Sequence, residues 1–173
     1  MSIPKVIHYC WFGKGKMPAL AEKCIASWKK YCPDYEIVCH NEDNFDVSEN
    51  KYAKEAYDAK KWAFVSDYVR LKVVYDNGGL YFDTDVELIK PLDDIMNEKG
   101  FIGFDDNGLI ATGLGFACEK GNELIGALLK DYDDIPFVLP DGSFDLTPCP
   151  DRNTEPLKRL GMDTDNTNQN FLG

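Results

Sequence analysis

Two carboxylates one residue apart, Asp83 and Asp85, are the clearest candidate site for a metal ion. Carboxylate oxygens suit hard divalent cations, but these two can converge on one ion only if the backbone turns at Thr84 or Asp85. A second copy of the spacing, at residues 163–165, lies in a polar tail. Residues 80–82 (LYF), in contrast, are apolar, and an unpaired carboxylate that entered a core would be costly. A site at the end of a buried strand is therefore predicted, with a solvated turn as the alternative.

Five other residues have types and positions that suit ligand binding, and each also has a purely structural interpretation. Asp67 and Arg70 lie three apart in a segment of helical periodicity and share a face, either as a salt bridge or as a pair that binds hydroxyls and phosphate. Trp11 ends a predicted first strand, as a core residue or as a platform for a nucleobase. Asp105 and Asp106 precede Asn-Gly, either as a turn or as carboxylates for a nucleophile or an acceptor.

Periodicity and turn residues predict the elements that position these side chains. A strand, a helix and a second strand in succession begin an α/β unit with a parallel sheet. Open α/β sheets bind ligands beyond the carboxyl ends of their strands, which suits Asp83 and Asp85. Beyond Pro136 the sequence predicts loops. Strands are predicted at 5–12, 35–39, 80–82, 101–104 and 109–116, with alternation resuming at 86–89, and helices at 19–31, 51–60, 62–75 and 122–132.

Length and composition predict one acidic globular domain over residues 1–173. The hydrophobic fraction is 44%, enough for one core, and the formal net charge of −11 disfavours nucleic acid as a partner. The six cysteines form no C-x-x-C unit and are predicted to be mostly buried free thiols. The N-terminal residues do not resemble a secretory signal, and no apolar run is long enough to span a membrane, so the expected location is the cytoplasm. Small lysine clusters allow peripheral contact with the inner face of a membrane.

Three motifs in order resemble glycosyltransferase family 32. They are residues 3–11 (IPKVIHYCW), 63–70 (AFVSDYVR) and 77–86 (NGGLYFDTDV). That family includes yeast Golgi α-mannosyltransferases and bacterial capsule and polysaccharide sugar transferases, and its core is similar to the glucosylating domain of large clostridial toxins. The resemblance covers about residues 2–132 and implies an α/β fold of GT-A type, a Rossmann-like mixed sheet flanked by helices. It also implies a nucleotide-sugar donor, with a UDP-sugar expected first, a Mn²⁺ or Mg²⁺ cofactor and retention of anomeric configuration.

Carried over by position, the resemblance assigns a role to each matching residue. Asp85 would be the more direct metal ligand, and Asp83 would contact ribose or sugar while supporting the metal. Asp67 and Arg70 would bind donor sugar hydroxyls, Trp11 would stack on the base, and His8 would be structural. The expected catalytic residues are thus Asp83, Asp85 and Arg70, with Asp105 and Asp106 as candidates near the acceptor.

The expected activity is transfer of a sugar to a saccharide or lipid-linked saccharide in bacterial capsular or surface polysaccharide synthesis. Family members usually continue with a late strand and loop. The loop-rich residues 133–173 are therefore expected to be a truncated or short version of the family's C-terminal part. Two alternatives stay open. One is a phosphotransferase of the haloacid dehalogenase type, whose motif usually lies near the start of its domain. The other is a non-catalytic module that binds sugar or metal.

Overall fold

Five strands form one mixed sheet at the centre of the molecule. The computed structural model describes residues 3–165 and 168–169. The strands are β1 (Val6–Cys10), β2 (Glu36–His40), β3 (Gly79–Tyr81), β4 (Gly100–Ile102) and β5 (Phe116–Cys118). Their order is β2-β1-β3-β5-β4. Strand β1 is parallel to both β2 and β3, whereas β5 runs antiparallel to both β3 and β4.

Helices cover both faces of this sheet. They are α1 (Ala19–Tyr31), α2 (Lys51–Asp58), α3 (Trp62–Asn77), α4 (Glu123–Lys130) and α5 (Cys149–Arg159), with short 3₁₀ turns at Val47–Glu49 and Asp93–Ile95. Capping residues set several of the boundaries: the side chain of Asn50 accepts from Ala53 N at the start of α2, and that of Asn122 accepts from Leu124 N at the start of α4. Among the described residues, none of the helices is both long and apolar enough to cross a lipid bilayer.

Alternation along the strands divides the core into two layers. Leu80 and Ala117, which pair across β3 and β5, pack on the α1 side around the fully buried Trp28. Their neighbours Tyr81 and Phe116, also paired, pack on the opposite side with α2 to α5. The side chain of Tyr81, two residues before Asp83, therefore projects toward α3.

The structure corrects three sequence expectations. Residues 109–115 do not form a strand: Ile110 pairs with Phe104 in an isolated bridge, residues 112–114 turn, and strand β5 starts only at Phe116. Residues 86–89 are not a strand either, because Val86 O accepts from Trp28 Nε1 at 2.8 Å and Leu88 N donates to Ser27 Oγ at 2.9 Å, which ties the segment to α1. The proline-rich end contains helix α5, which was missed although its start has Pro150 in the first turn, a favoured position.

Late residues complete the core that the first part of the chain begins. Phe137 and Leu157 are fully buried in the same layer as Tyr52 and Tyr132. The six cysteines are free thiols, as predicted, and four of them are buried. Of the polar tail that was predicted over 163–170, residues 166, 167 and 170 lie outside the described part, as do residues 171–173.

A pair of buried histidines joins β1 to β2 and to the end of α3. His8 Nε2 lies 3.0 Å from Gly78 O, and His8 Nδ1 lies 3.0 Å from His40 Nε2. Since a carbonyl can only accept, Nε2 of His8 carries the proton, and Nδ1 accepts from His40. The next residue, Gly79, has φ +104°, and a Cβ there would lie 2.7 Å from Val6 O. Strand β3, which leads to Asp83, therefore requires glycine at position 79, where the backbone approaches Val6 O. The hydrogen bonds of His8 give it the structural role that was expected.

Acid should destabilise the fold through this pair. Burial lowers the pKa of His8, and burial together with His8 lowers the pKa of His40 to about 4, from an ordinary value of 6.5. The unfolded chain then binds more protons below pH 6.5, so stability is lost as the pH falls toward the folded pKa. We expect the free energy of unfolding in urea to drop by about 2 kcal/mol between pH 6.5 and 5, at ~1.36 kcal/mol per pKa unit. These are the chain's only two histidines. His40→Gln should therefore flatten the profile, and an equally steep profile in that variant would contradict the assignment.

Candidate functional site

The turn that the two carboxylates require is present at the end of β3. Residues 84 and 85 form the turn, and Val86 N donates to Asp83 O at 3.1 Å. The backbone of Asp83 is held from the other side, where its N donates to Gly113 O at 3.0 Å. The prediction of a turn at Thr84 or Asp85 is confirmed, and backbone hydrogen bonds hold Asp83 on both sides.

The side chain of Asp83 belongs to a buried network with α3. Nη2 of Arg70 lies 3.0 Å from Asp67 Oδ1 and 3.3 Å from Asp83 Oδ1, and Tyr81 Oη donates to Asp83 Oδ1 at 2.8 Å. The guanidinium also lies over the Tyr81 ring, 5.1 Å from its centroid. The intrahelical salt bridge between Asp67 and Arg70 is thus real, and it extends to Asp83. Arg70 joins two of the three sequence motifs in space.

Burial sets the electrostatics of this network. The side chains of Arg70 and Asp67 are 5% and 10% exposed, against 36% for Asp83. Burial raises the pKa of the Asp67 carboxyl, although Arg70 acts in the opposite direction. Burial alone would lower the pKa of Arg70, but Tyr81, Asp83 and Asp67 outweigh it and raise that pKa well above its ordinary value. A buried ion pair contributes little net stability, because desolvation offsets much of the attraction.

Asp85 differs from Asp83 in having an exposed side chain. Among the described residues, no lysine, arginine or histidine lies within salt-bridge distance of it. The described part of the chain has no group of three or more histidine, cysteine or acidic residues that would hold a metal by themselves. Two carboxylates do suit Mg²⁺ or Mn²⁺ when substrate phosphates and water supply the other ligands. The donor set therefore fits a cation that binds together with a diphosphate.

A close approach of the loop after β4 closes the site on one side. A Cβ at Gly113 would lie 2.3 Å from Asp83 Oδ2 and 3.1 Å from Arg70 Nη1. Thr112, fully buried, lies 3.6 Å through Oγ1 from Cys149 Sγ, which in turn lies 3.7 Å from Arg70 Nη1. Sequence reasoning missed Gly113, Thr112 and Cys149. The glycines at 113 and 115 were the only local signal, since the other contacts depend on where α5 packs.

Trp11 lies at the carboxyl end of β1, beside the end of β2. It is half-buried, its backbone N donates to His40 O at 2.9 Å, and its Nε1 donates to Gly15 O at 2.8 Å. Gly13 N in the same loop donates to Glu42 Oε1 at 2.6 Å. Glu42 lines a groove of about 550 Å³, together with residues 43–47 and Tyr57. An open groove thus adjoins the loop that carries Trp11.

Asp105 and Asp106 adopt the turn that was the alternative to a reactive role. Asp105 Oδ1 accepts from Asn107 N at 2.8 Å and from Leu109 N at 2.9 Å, and these backbone bonds lower the pKa of its carboxyl. Within the described part of the chain, neither carboxylate is hydrogen-bonded or ion-paired to Arg70, Asp83 or Asp85. The structure brings Asp67, Arg70 and Asp83 together with Asp85 on the adjoining turn, and leaves this loop apart from them.

Sequence comparison identifies the region that contains these residues. Residues 18–102 match the family described as glycosyltransferase sugar-binding region containing DXD motif. Inositol phosphoceramide mannosyltransferase 3 of Schizosaccharomyces pombe is 26% identical over 144 residues, which is 79% of this chain and 39% of that protein. Subversion of eukaryotic traffic protein A of Legionella pneumophila is 23% identical over 177 residues, 84% of this chain and 27% of that protein. The chain thus spans less than half the length of either relative.

Solved structures show the same fold. PaToxG glycosyltransferase superposes with a TM-score of 0.68 at 20% identity, over 91% of this chain and 69% of that one. A transferase solved as a double cysteine-to-serine mutant superposes with a TM-score of 0.55 at 11% identity, over 92% of this chain and 86% of that one. The mixed sheet flanked by helices is of GT-A type, as predicted. Residues 18–102 thus match a glycosyltransferase sugar-binding region with a DXD motif, and the chain is similar to family 32-like glycosyltransferases in sequence and in fold.

Proposed function

We propose that the chain transfers a sugar from a nucleotide-diphosphate donor to a saccharide or lipid-linked saccharide, with Mn²⁺ or Mg²⁺ as cofactor. The observation that carries this proposal is the network in which Arg70 joins Asp67 to Asp83, next to the exposed Asp85 on the same turn. A UDP-sugar is the first donor to test. A phosphotransferase is disfavoured because three strands and three helices precede Asp83, whereas a dehalogenase-type motif usually lies near the start of its domain.

Charge explains why a cation belongs to the proposed reaction. A nucleotide diphosphate gains negative charge as the glycosidic bond breaks, and a protein of net charge −11 does not stabilise that charge through its overall field. A divalent ion bound by Asp85 and Asp83 would neutralise the diphosphate. Asp85 suits the more direct role because its carboxylate is exposed and, within the described chain, has no cationic partner.

Depth in the protein separates the roles of the three remaining charged groups. Asp67 and Arg70 lie behind Asp83 and are nearly buried, so only a narrow edge of each can meet a ligand. We therefore assign direct contact with donor hydroxyls chiefly to Asp83, and to the exposed edges of Arg70 and Asp67. The buried pair also fixes the rotamer of Asp83, which preorganises the site before the donor binds.

The groove beside β2 is proposed to take the nucleoside end of the donor. It lies at the carboxyl ends of parallel strands, where α/β sheets bind nucleotides. Glu42, which lines the groove, would supply a carboxylate for sugar hydroxyls, and the aromatic ring of Trp11 lies in the adjoining loop. The half-buried position of Trp11 leaves room for stacking on a base.

The acceptor is proposed from the chemistry of the relatives. The Schizosaccharomyces pombe relative is named an inositol phosphoceramide mannosyltransferase, which supports a lipid-linked saccharide as the acceptor here. Transfer of a sugar to a lipid-linked acceptor is consistent with a cytoplasmic protein that makes peripheral contact with the inner face of a membrane. Retention, a role in capsular or surface polysaccharide synthesis, and an acceptor contact by Asp105 or Asp106 stay predictions.

Asp85→Asn should abolish metal-dependent donor binding without unfolding the protein, because an exposed carboxylate is lost and no buried partner is left unpaired. We expect the best UDP-sugar of a panel, at about 100 times its Kd with Mn²⁺, to raise the wild-type Tm by roughly 5–10 °C. The variant should show no shift and no donor hydrolysis. Asp94→Asn, another exposed carboxylate, is the control. Normal hydrolysis by the Asp85 variant would refute the metal site, and wild-type binding without any turnover would favour a non-catalytic module.

Trp11→Ala should weaken binding of UDP itself by about tenfold, since base stacking contributes roughly 1–3 kcal/mol. The variant also loses the bond from Nε1 to Gly15 O, so Trp11→His, which keeps a ring with an N–H, is the matched comparison. Calorimetry with UDP and Mn²⁺ measures both. An unchanged affinity of the alanine variant for UDP would show that Trp11 has a purely structural role.

Gly113→Ala should disrupt donor binding, because its Cβ would lie 2.3 Å from Asp83 Oδ2 and must displace that carboxylate. We expect at least a tenfold loss of UDP-sugar affinity with a folded protein. Gly103→Ala is the matched control in the same part of the chain, since a Cβ there meets nothing within 4 Å. Equal affinities for the two variants would show that the position of Asp83 does not matter for the donor.

A further inference from the structure

Helix α5 brings a cysteine to the inner side of the Arg70 network. The helix starts at Cys149, and its first turns pack against the loop that carries Thr112 and Gly113. Residue 149 lies well outside the segment 18–102 that matches the sugar-binding family. A contact from this helix to Arg70 is therefore a contribution that the matched region does not contain.

A line of hydrogen bonds leads from α5 to the guanidinium. Asn153, 1% exposed, donates through Nδ2 to Thr112 Oγ1 at 3.0 Å. Because that oxygen accepts from Asn153, its own hydrogen can point to Cys149 Sγ, 3.6 Å away. The same sulfur lies 3.7 Å from Arg70 Nη1. Cys149 thus links two fully or nearly buried polar residues to the charged network.

Each nitrogen of the Arg70 guanidinium has its own anchor. Nε donates to Ser66 O at 3.0 Å, and Nη2 contacts Asp67 and Asp83. Among the hydrogen bonds of the described residues, the partner of Nη1 is Cys149 Sγ. Burial raises the pKa of the Cys149 thiol to about 11, so at neutral pH it is an uncharged acceptor. The neutral thiol can orient the Arg70 guanidinium without competing with Asp67 and Asp83 for its positive charge.

We propose that Cys149 is a positioning residue for the donor sugar: its thiol holds Nη1 of Arg70, so that Nη2 stays between Asp67 and Asp83. Removing the sulfur leaves one arm of the fork without its anchor, and the guanidinium gains freedom to tilt away from Asp83. The ligand part of this inference rests on the proposed function, whereas the contact itself does not.

The contact can be tested without any ligand. The chain has three arginines, Arg70, Arg152 and Arg159, so the guanidinium region of a ¹⁵N NMR spectrum is simple to assign. In Cys149→Ala we expect the Arg70 signals to shift and to broaden from faster guanidinium rotation, with those of Arg159 unchanged. Cys32→Ala removes a thiol that is 1% exposed in the other core layer and serves as the control. Arg70 signals that match the wild type in Cys149→Ala would overturn the proposal.

The functional consequence separates the sugar from the nucleotide. With Mn²⁺ present, Cys149→Ala should bind the best UDP-sugar about fivefold more weakly and UDP unchanged, while Cys149→Ser, which keeps a hydrogen-bonding group, should stay within twofold of wild type. Equal weakening for UDP and UDP-sugar, or no change for either, would reject the positioning role. A wild type that binds neither ligand would count against the proposed function alone, and the arginine spectra would still decide whether Cys149 holds Arg70.

Discussion

Burial of the Arg70 guanidinium constrains the whole site, because a positive charge that is only 5% exposed must be matched by anions placed within a few ångströms. One anion, Asp67, comes from the same helix at a spacing that α-helices supply by themselves. The other, Asp83, comes from the end of the central strand. Helix α3 and strand β3 must therefore keep a fixed relative position. Any change that separates them leaves the buried Arg70 charge without Asp83, at the cost of its desolvation.

The sheet meets this constraint through its alternation and its tight backbone contacts. Tyr81 projects toward α3, where its hydroxyl donates to Asp83 and its ring lies under Arg70. Beyond the turn, residues 86–88 are drawn the other way, onto α1. The chain thus leaves the sheet with Asp83 held on one side and Asp85 exposed at the turn. The two carboxylates of one short motif consequently have different environments, which suit Asp85 to the more direct contact with a metal and Asp83 to a supporting one.

The later part of the chain finishes what the matched region begins. Gly113 lets the backbone approach Asp83 so closely that a methyl group would not fit, and α5 places Cys149 beside Arg70. Phe137 and Leu157 fill the same core layer. The site therefore depends on segments far apart in sequence, and its rigidity comes from packing between them as much as from the motif itself.

Local rules determined much of this protein from sequence alone. Helix α1 was predicted over its observed span, 19–31, because prolines bracket an apolar stripe. The turn at Thr84 or Asp85 was predicted because two carboxylates one residue apart can converge on one ion only if the backbone turns. The charged pair at 67 and 70 was also evident, since its spacing is a property of any helix. Only the tertiary structure decided that Arg70 reaches Asp83, that residues 109–115 form no strand, and that α5 forms and carries Cys149 to the site. Those outcomes depend on non-local packing and on backbone approaches at single glycines, which leave no periodic trace in the sequence.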